Sequence, residues 1–590
     1  MPQVHLRHLR ERNPRMRGSE MKKLLKYMKG YGRECFLGPL LKLLEAALEL
    51  LVPYVIFDII NTGIVNDDRG YIVGKMFILI GMGLAGLLFS VAAQYFSAKA
   101  AVGFSSKVRE VLFAYIMRLG YPEIDKTGKS TFITRLTSDI NQVQTGINLT
   151  LRLFLRSPFI VFGAMICAFT IDKSSAMVFV GVIPVLALVV FSIMLSTIPL
   201  YRKVQQKLDV ILSKTRENLS GVRMLRALCK EDEEISEFGE KNNELNHAQK
   251  FVGKISALMN PLTYVIINAA IVVLIYTGAL RVNEGILTQA AIIALYNYMS
   301  QILVELIKLA NLIITITKAV ACGNRVAAVL ETEPSMTVQP ETFGDDRHTV
   351  EFRDVSFRYS SGGENALSDI DFTADPGQTI GIIGGTGSGK TTLVNLICRF
   401  YDATGGEVLV DGKNVKSYDF PTLRNKVGIV PQGSSLFRGD VRSNIKFGNE
   451  NAGDDEIWAA LEAAQAKGFV SEKPGQLDFE IEQGGKNLSG GQRQRLTVAR
   501  ALVRRPEILI LDDSSSALDY ATDLALRHAI KNLDYKPVIF IVSQRASTLR
   551  GSDKIIVLDE GKAVGMGTHD GLYDSCPVYR EICDSQTKNR

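Results

Sequence analysis

The stretch TIGIIGGTGSGKTTLVNLI, residues 379–397, passes from a short apolar run through a glycine-rich loop into a helical pattern. Its central part, GGTGSGKT (384–391), fits the pattern GxxxxGK[ST], in which backbone N–H groups at the beginning of a helix surround phosphates. Lys390 can neutralise the outer phosphates, and the Thr391 hydroxyl can coordinate Mg²⁺. Because a strand and a helix flank the motif as a phosphate-binding loop requires, the stretch predicts an α/β nucleotide-binding domain.

Two further motifs follow this loop along the chain. EILILDD (507–513) is typical of a buried strand that ends in two carboxylates, and Asp512 is placed to hold Mg²⁺ directly or through water. KNLSGGQRQRLTVARAL (486–502) has small residues in front of an amphipathic helix, which suits contact with a phosphate. SGG alone would also fit a flexible turn, but its position between the loop and Asp512 favours the phosphate contact.

The long apolar stretches of the chain lie between residue 36 and about residue 320. A helix needs roughly 20 mostly apolar residues to cross a bilayer, and the stretches that qualify are 36–61, 72–96, 147–171, 175–199, 254–282 and 288–317. The long loops between them, 97–146 and 200–253, are rich in Lys and Arg and keep a helical charge pattern. The positive-inside rule therefore places the N-terminus, both long loops and the C-terminal half in the cytoplasm, with helices that continue beyond the bilayer.

Polar and ionisable side chains interrupt these predicted spans. They are Glu45, Glu49, Asp58, Arg156, Asn268, Glu305 and Lys308. Such residues are functional candidates because lipid exposure is costly, but some can equally lie beyond the hydrocarbon, and Glu305 can pair with Lys308 at i,i+3 spacing. Tyr296, Tyr298, Met299 and Gln301 could line a cavity or simply pack. The sequence of the membrane half thus predicts a polar interior, but it does not identify the transported molecule.

Charge and cysteine content exclude several classes of protein. The net charge of +6 comes mostly from the head, residues 1–26, which no short apolar segment with a cleavage site follows, so a basic arm at a membrane surface fits better than a signal peptide. No basic stripe with interleaved aromatics follows, which argues against nucleic-acid binding. The seven cysteines show neither a CxxC pair nor zinc-ligand spacing, so free thiols in a reducing cytosol are expected.

The phosphate-binding loop, LSGGQ and ILILDD, in this order and downstream of six spans, resemble an ATP-binding cassette (ABC) exporter half-transporter. The resemblance covers almost the whole chain and implies an all-α six-helix transmembrane domain of type IV exporter fold, followed by an α/β nucleotide-binding domain. The implied division is 1–35 for a basic cytoplasmic arm and elbow helix, 36–320 for the transmembrane domain, 321–347 for a linker and 348–590 for the nucleotide-binding domain. ATP and Mg²⁺ are the implied cofactors. A second half-transporter, membrane lipids and a small amphipathic substrate are the implied partners.

In this family two chains pair head to tail, and each ATP lies between the phosphate-binding loop of one chain and the LSGGQ of the other. The resemblance implies that the residues contacting ATP are Tyr359, Gly384, Gly385, Thr386, Gly387, Ser388, Gly389, Lys390, Thr391 and Thr392, with Ser489, Gly490, Gly491 and Gln492 for the ATP of the partner. Tyr359 would stack on adenine, although alone it would also fit an ordinary strand. Thr391, Gln432 and Asp512 would hold the metal.

Other positions are implied to carry signals between sites. Gln432 in IVPQ would sense Mg²⁺ and the attacking water, and Ser516 to Asp519 would communicate between the two nucleotide sites. YPEIDKTGKSTFITRLTSDI (121–140) and ENLSGVRMLRAL (217–228) resemble the segments that form coupling helices, with a plain amphipathic helix as the alternative.

Three positions depart from the family pattern. The family's catalytic Glu is Asp513 here, whose carboxylate is retracted by about one C–C bond, a displacement that can cost roughly 10²-fold in rate. The family's switch His is Gln544, which can hydrogen-bond the γ-phosphate but cannot carry a positive charge or shuttle a proton. Gln483 stands where the family often has a Glu that contacts the coupling helices. The implied catalytic set is therefore Asp513, Gln544 and Gln432.

A poor catalytic centre beside an intact LSGGQ, together with the run 552–586, resembles one chain of the heterodimeric bacterial multidrug exporters. This chain's own loop would then hold ATP for a long time, whereas Ser489 and Gly491 would complete the active site of a different partner chain. Three alternatives stay open: a homodimeric exporter with Asp513 as a slower base, an ATP-gated regulatory membrane subunit, and an importer with an exporter-like fold. An amphipathic drug, lipid or peptide fits as cargo.

Overall fold

The computed structural model describes residues 21–340, 348–359, 362–514 and 517–587. Contacts divide the chain into two compact units. The helical unit comprises residues 21–117 and 130–332, and the α/β unit comprises residues 118–129 and those from 333 onwards. Most of the predicted basic arm, residues 1–20, and part of the predicted signalling segment, Ser516, lie outside the described residues.

Long helices build the helical unit. The helices of the first half of the chain are α1 (Met21–Leu24), α2 (Gly32–Asp58), α3 (Arg69–Ile116), α4 (Tyr121–Thr127), α5 (Lys129–Thr134), α6 (Ile140–Leu153), α7 (Arg156–Ile171), α8 (Lys173–Ser220), α9 (Val222–Ala227), α10 (Glu231–Ala257), α11 (Met259–Asn283) and α12 (Gln289–Leu330). Of these, α4 belongs to the α/β unit. At 1.5 Å per residue, the 48 residues of α3 span about 72 Å, far more than a bilayer needs.

Five helical stretches within the described residues are long and apolar enough to cross a membrane: Arg69–Ile116, Lys129–Ile171, Lys173–Ser220, Glu231–Asn283 and Gln289–Leu330. The first of the six predicted spans lies on α2, which is helical over 27 residues but carries several charged side chains and is not among the five. The other five predicted spans lie on these five stretches, with 147–171 running from α6 into α7.

The predicted linker, 321–347, begins too early. Helix α12 continues to Leu330 and still buries Cys322, Val326 and Val329 in its last turns. The apolar repeat of AVACGNRVAAVL carries on at helical spacing, and the first strong helix breaker after it is Pro334. The helix therefore ends only where the apolar pattern ends.

Small and apolar side chains form the core of the helical unit. Ala46 and Leu50 of α2, Phe179 of α8 and Tyr298 of α12 are buried in one cluster. Tyr298 also donates its hydroxyl to the backbone oxygen of Leu50 at 2.7 Å, which ties α12 to α2. Close approach of helix backbones through small residues is the usual packing mode where lipid surrounds a bundle.

The α/β unit is built on three sheets. Its strands are β1 (Val350–Phe357), β2 (Leu367–Ala374), β3 (Thr379–Gly384), β4 (Gly405–Val410), β5 (Lys413–Asn414), β6 (Val427–Val430), β7 (Gly439–Asp440), β8 (Glu480–Ile481), β9 (Ile508–Asp512), β10 (Val538–Val542), β11 (Lys554–Asp559) and β12 (Lys562–Gly567). Its remaining helices are α13 (Lys390–Ile397), α14 (Phe420–Lys426), α15 (Val441–Lys446), α16 (Asp454–Ala463), α17 (Lys467–Ser471), α18 (Gly490–Leu502), α19 (Tyr520–Lys531), α20 (Ala546–Leu549), α21 (His569–Ser575) and α22 (Pro577–Thr587).

The largest sheet has the strand order β12-β11-β3-β10-β9-β6. The pairs from β11 to β6 are parallel, and only β12 runs antiparallel. Residues Ile508–Asp512 are buried throughout, as expected for an inner parallel strand covered on both faces. The carboxyl ends of β3, β10, β9 and β6 therefore meet along one edge, where α/β proteins bind their ligands.

Candidate nucleotide-binding site

A cavity of about 320 Å³ lies at this edge of the sheet. The loops that follow β3, β6, β9 and β10 each contribute to its wall, because these parallel strands end side by side. The lining residues are Tyr359, Ala366, Thr386, Gly387, Gly389, Lys390, Thr391, Thr392, Gln432, Asp512, Asp513, Val542, Ser543 and Gln544. The structure thus brings together all the sequence-predicted metal and catalytic positions and most of the phosphate-binding loop.

The phosphate-binding loop can only take this path with glycine at position 389. Gly389 has φ +95°, and a Cβ there would lie 2.6 Å from the backbone oxygen of Ala366. Helix α13 begins at the next residue, so its N-terminal N–H groups and dipole point at the cavity. Gly384, Gly385 and Ser388 belong to the same loop but are not part of the cavity wall.

Lys390 is folded back onto its own loop. Its Nζ donates hydrogen bonds to the backbone oxygens of Gly384 at 2.9 Å and Gly385 at 2.5 Å. Burial lowers the pKa of Lys390, and the nearby carboxylates of Asp512 and Asp513 oppose that shift. A buried cation whose hydrogen bonds go to neutral oxygens can exchange them for phosphate oxygens.

Thr391 and Asp512 form the centre of the predicted metal set. The Thr391 hydroxyl donates to Oδ1 of Asp512 at 3.2 Å, and Gln432 lines the same cavity. Burial raises the pKa of Asp512, and the hydrogen bond from Thr391 partly offsets this. A nucleotide-bound Mg²⁺ needs only one or two protein carboxylates or hydroxyls besides phosphate and water, so this oxygen pair fits Mg²⁺. The described residues hold no group of three His, Cys, Asp or Glu side chains that could bind a metal without a nucleotide.

Asp513 and Gln544 lie at the ends of adjacent strands. The backbone N–H of Asp513 donates to the backbone oxygen of Val542 at 3.0 Å, and Asp513 has φ +47°. Gln544 is exposed, and its backbone oxygen accepts a hydrogen bond from Nε2 of Gln586 at 2.7 Å. Both side chains line the cavity beside the metal pair. The backbone therefore places both positions at the cavity wall.

Tyr359 lies in the wall of the cavity. Its hydroxyl is hydrogen-bonded with Thr392 Oγ1 at 2.9 Å, and its ring meets Phe357 and Tyr401 edge to face at 4.8 and 5.3 Å between centroids. These neighbours fix the ring in place, so Tyr359 can present one rigid face to a planar base.

The LSGGQ segment starts α18 and does not contribute to this cavity. Ser489 caps the helix, accepting from the backbone N–H of Gln492 at 3.3 Å while Oε1 of Gln492 accepts from the N–H of Ser489 at 3.1 Å. Gly490 and Gly491 occupy the first turn without side chains, which leaves the helix N-terminus open to an anion. Within one chain, the two predicted halves of a nucleotide site are therefore separate.

Sequence reasoning missed Ser543 and Gln494. Ser543 is buried in the cavity wall, and its Oγ accepts from the N–H of Arg545 at 3.0 Å. Gln494 is a buried polar residue of α18 that donates to the backbone oxygen of Asp513 and accepts from the N–H of Ala517, each at 3.3 Å. It thereby links the helix that follows LSGGQ to the loop that carries Asp513. Its only sequence signal was a polar residue on the apolar face of α18.

Helix α4 forms the first part of the predicted coupling segment 121–140 and packs within the α/β unit, to which it belongs. The rings of Tyr121 and Phe400 lie 4.6 Å apart, and the Tyr401 hydroxyl donates to Oδ2 of Asp125 at 2.5 Å. Glu123 is buried and accepts from the N–H of Ser335 at 3.0 Å. Because Tyr401 contacts both Tyr121 and Tyr359, two aromatic contacts connect α4 to the cavity wall.

The second predicted coupling segment, 217–228, lies in the helical unit. It spans the end of α8 and the short helix α9, and Leu219 and Met224 expose most of their apolar side chains.

Comparison with known proteins agrees with this architecture. The family model for the ABC transporter transmembrane region matches residues 35–306, and that for the ABC transporter domain matches residues 367–516. A bacterial Atm1-family ABC exporter solved with ATP bound superposes with a TM-score of 0.79 at 22% identity, covering 94% of this chain and 98% of that one. The fold is thus that of a type IV ABC exporter.

Curated relatives extend over the whole length. The uncharacterised ABC transporter ATP-binding protein MT1311 of Mycobacterium tuberculosis is 35% identical over 571 residues, which is 96% of this chain and 98% of the relative. The putative multidrug export ATP-binding/permease protein YgaD of Bacillus subtilis is 30% identical over 588 residues, 96% of this chain and 100% of the relative. The chain belongs to the ABC transporter family.

Membership settles several of the sequence predictions. The protein is an ATPase coupled to transport, and its cofactors are ATP and Mg²⁺. It is a multi-pass membrane protein whose nucleotide-binding domain lies on the cytoplasmic side.

Proposed function

We propose that this chain is the degenerate-site half of a heterodimeric ABC exporter for small amphipathic molecules. The observation that carries the proposal is the composition of the nucleotide cavity. Its wall includes Lys390, Thr391 and Asp512 for phosphate and Mg²⁺, whereas Asp513 and Gln544 occupy the two positions that the family resemblance assigns to catalysis.

The weakness of Asp513 as a base follows from its length. Since the backbone of Asp513 is fixed by its hydrogen bond to Val542, its side chain cannot move forward to replace the missing methylene. A misplacement of about 1 Å can cost on the order of 10²-fold in rate. ATP held here is therefore expected to turn over slowly while it still keeps the site closed.

The second departure acts in the same direction. A His at position 544 could carry a positive charge next to the γ-phosphate and transfer a proton, whereas Gln544 can only donate and accept neutral hydrogen bonds. Two losses at one catalytic centre favour a site that retains ATP over a site that hydrolyses it.

The LSGGQ segment, residues 488–492, is the signature of the family and is intact in this chain. Ser489 and Gln492 form a complete capping box, so the N-terminus of α18 is ordered for contact with the ATP of another chain. A partner chain with an efficient base would then hydrolyse its ATP against this signature. The polar interior of the helical unit supports an amphipathic cargo, and one relative, YgaD, is named as a putative multidrug exporter.

The test is ATP hydrolysis by the purified full-length chain. We expect slow turnover, and we expect Asp513→Glu combined with Gln544→His to raise it by at least about tenfold. Asp455→Glu, an equivalent change at an exposed position in α16, is the matched control and is expected to change nothing. Turnover by the unmodified chain as fast as by the double variant would contradict the degenerate-site assignment.

A homodimeric exporter with Asp513 as a slow base is the second candidate. One observation favours it: a single chain carries both the phosphate-binding loop and the signature, so two copies could form two identical sites. Native mass analysis of the complex purified from its own membrane separates the candidates. A mass of two identical chains would support the homodimer, and a mass that includes a different half-transporter would support the heterodimer.

A further inference from the structure

A second cavity of about 320 Å³ lies inside the helical unit, between α2 and α12. Its lining positions repeat at intervals of three and four residues, so they form one face of each helix. Helix α2 contributes Glu49, Val52, Pro53 and Ile56, and helix α12 contributes Asn297, Ser300, Gln301, Val304, Glu305 and Lys308. The wall therefore combines hydrocarbon with two carboxylates, an ammonium group and amides.

The charged side chains of this wall are connected to a buried ion pair between Arg156 and Glu305. Arg156 donates to Oε1 of Glu305 at 2.5 Å and to Oε2 of Glu49 at 2.6 Å. Ser157 donates to the other oxygen of Glu305 at 2.8 Å, and Lys308 donates to Oε1 of Glu305 at 2.8 Å. Arg156 and Glu305 are buried, whereas the side chains of Glu49 and Lys308 stay 40% and 43% exposed. The formal charges of the four ionic groups sum to zero, and only one of each sign remains accessible.

Further hydrogen-bonding capacity is left open beside these charges. Oε1 of Gln301 is buried without a hydrogen-bond partner among the described residues. Pro53 has no N–H, so the backbone oxygen of Glu49 lacks the donor that a helix normally supplies four residues later. The α2 side thus offers acceptors around Glu49, and the α12 side offers the ammonium group of Lys308 and the amide of Asn297.

We propose that this cavity binds the head group of a zwitterionic amphiphile, with its ammonium group at Glu49 and its carboxylate or phosphate at Lys308. A ligand with a single net charge would leave an uncompensated charge in a low-dielectric site, which is costly, whereas a zwitterion pairs both accessible charges. Val52, Ile56 and Val304 provide apolar surface for the adjoining chain. That this ligand is a cargo rests on the proposed export function, but its binding does not require ATP hydrolysis.

The test is equilibrium binding to the full-length chain in dodecyl maltoside, a detergent whose head group is uncharged. Three probes carry the same twelve-carbon tail on head groups of different charge: 2-aminotetradecanoic acid is zwitterionic, dodecylamine is cationic and tridecanoate is anionic. We expect the zwitterion to bind at least about tenfold more tightly than either of the others. Equal or tighter binding of the cation or the anion would overturn the proposal. A fourth probe, lysophosphatidylethanolamine, distinguishes the sources: comparable affinity indicates lipid head groups, and much weaker affinity indicates amino acid or peptide head groups.

Variants locate the site. Glu49→Gln and Lys308→Gln are each expected to weaken binding of 2-aminotetradecanoic acid by about tenfold, since each removes one accessible charge. Glu45→Gln is the matched control, because Glu45 lies one turn earlier on α2 and does not line the cavity. Unchanged affinity in Glu49→Gln and Lys308→Gln, or an equal loss in Glu45→Gln, would refute the assignment. If one of these two variants does not fold, the other variant and the probe series still test whether the cavity binds the zwitterion. ATPase rates are measured separately, so failure of the degenerate-site proposal remains distinguishable.

Discussion

Replacing Glu305 by Leu tests whether the buried ionic group of the helical unit is compensated as the structure shows. Arg156 and Glu305 expose only 7% and 3% of their side chains, so the variant leaves a buried guanidinium without its main partner. Breaking such a pair costs about 3–5 kcal/mol, and the lower end applies because Glu49 still accepts from Arg156. Lys308 adds little, since its accessible side chain can turn to water. At roughly 2–4 °C per kcal/mol, a loss of about 3 kcal/mol lowers the Tm by about 6–12 °C.

The assay is thermal unfolding of the purified chain in one detergent. The double variant Arg156→Met/Glu305→Leu removes both charges and keeps the volume, so it is expected to melt within about 4 °C of the unmodified chain. Glu49→Gln is expected to cost about 1 kcal/mol, because its carboxylate is partly exposed. A single variant Glu305→Leu as stable as the unmodified chain, or a double variant no more stable than the single one, would refute the reasoning.

Three further predictions concern the α/β unit. Tyr401→Phe removes the hydrogen bond to Asp125 of α4. It is expected to lower transport per ATP hydrolysed in vesicles, with the ATP affinity unchanged. The control is Tyr573→Phe, which breaks a similar Tyr–Asp hydrogen bond between α21 and α22 and is expected to have no effect. Asp512→Asn is expected to abolish Mg²⁺-dependent nucleotide binding and to raise the Tm of the nucleotide-free protein at pH 7. Burial raises the pKa of Asp512, so the stability that this group contributes is present below the usual Asp pKa and is lost as the pH rises through the raised value. At pH 7 the buried charge therefore destabilises the fold, and the neutral Asn removes that cost. Gly389→Ala is expected to abolish ATP binding because of its positive φ and the nearby backbone oxygen, whereas Gly385→Ala, with open space around its Cβ position, is expected to retain it.

The arrangement of the nucleotide cavity was predictable because strand ends decide it. Each motif followed an apolar run, and parallel strands bring such ends to one edge of a sheet. The position of Asp512 beside Thr391 thus followed from sequence order, although 121 residues separate them. Gln494 was not predictable in this way, because its role depends on which face of α18 meets the loop of Asp513, and a helix pattern alone does not identify its neighbour.

The helical unit was predictable in its helix order but less so in its helix ends. Hydropathy locates only the apolar centre of a span. The continuation of the helices beyond that centre, seen in the 48 residues each of α3 and α8, was predicted from the helical charge pattern of the long loops. The same limit explains the early start of the predicted linker, since α12 extends to Leu330 beyond its apolar centre. The packing of α4 on Phe400 and Tyr401 depends on tertiary contacts between distant parts of the chain, which no local pattern encodes.

The two departures at the catalytic centre concern side chains whose positions line the nucleotide cavity. Asp513 is held to the end of β10 through Val542, and Gln544 lies two residues after the end of that strand, so both positions line the cavity. If side-chain chemistry alone limits the rate, Asp513→Glu with Gln544→His must restore it, because no backbone shift is needed. If restoration fails while ATP still binds, the limit lies in the contact between signature and catalytic loop, where Gln494 bridges Asp513 and Ala517. Gln494→Leu in the double variant is then expected to change turnover, because it removes this bridge. A chain limited only by the side chains of Asp513 and Gln544 is expected to keep its turnover on the same substitution.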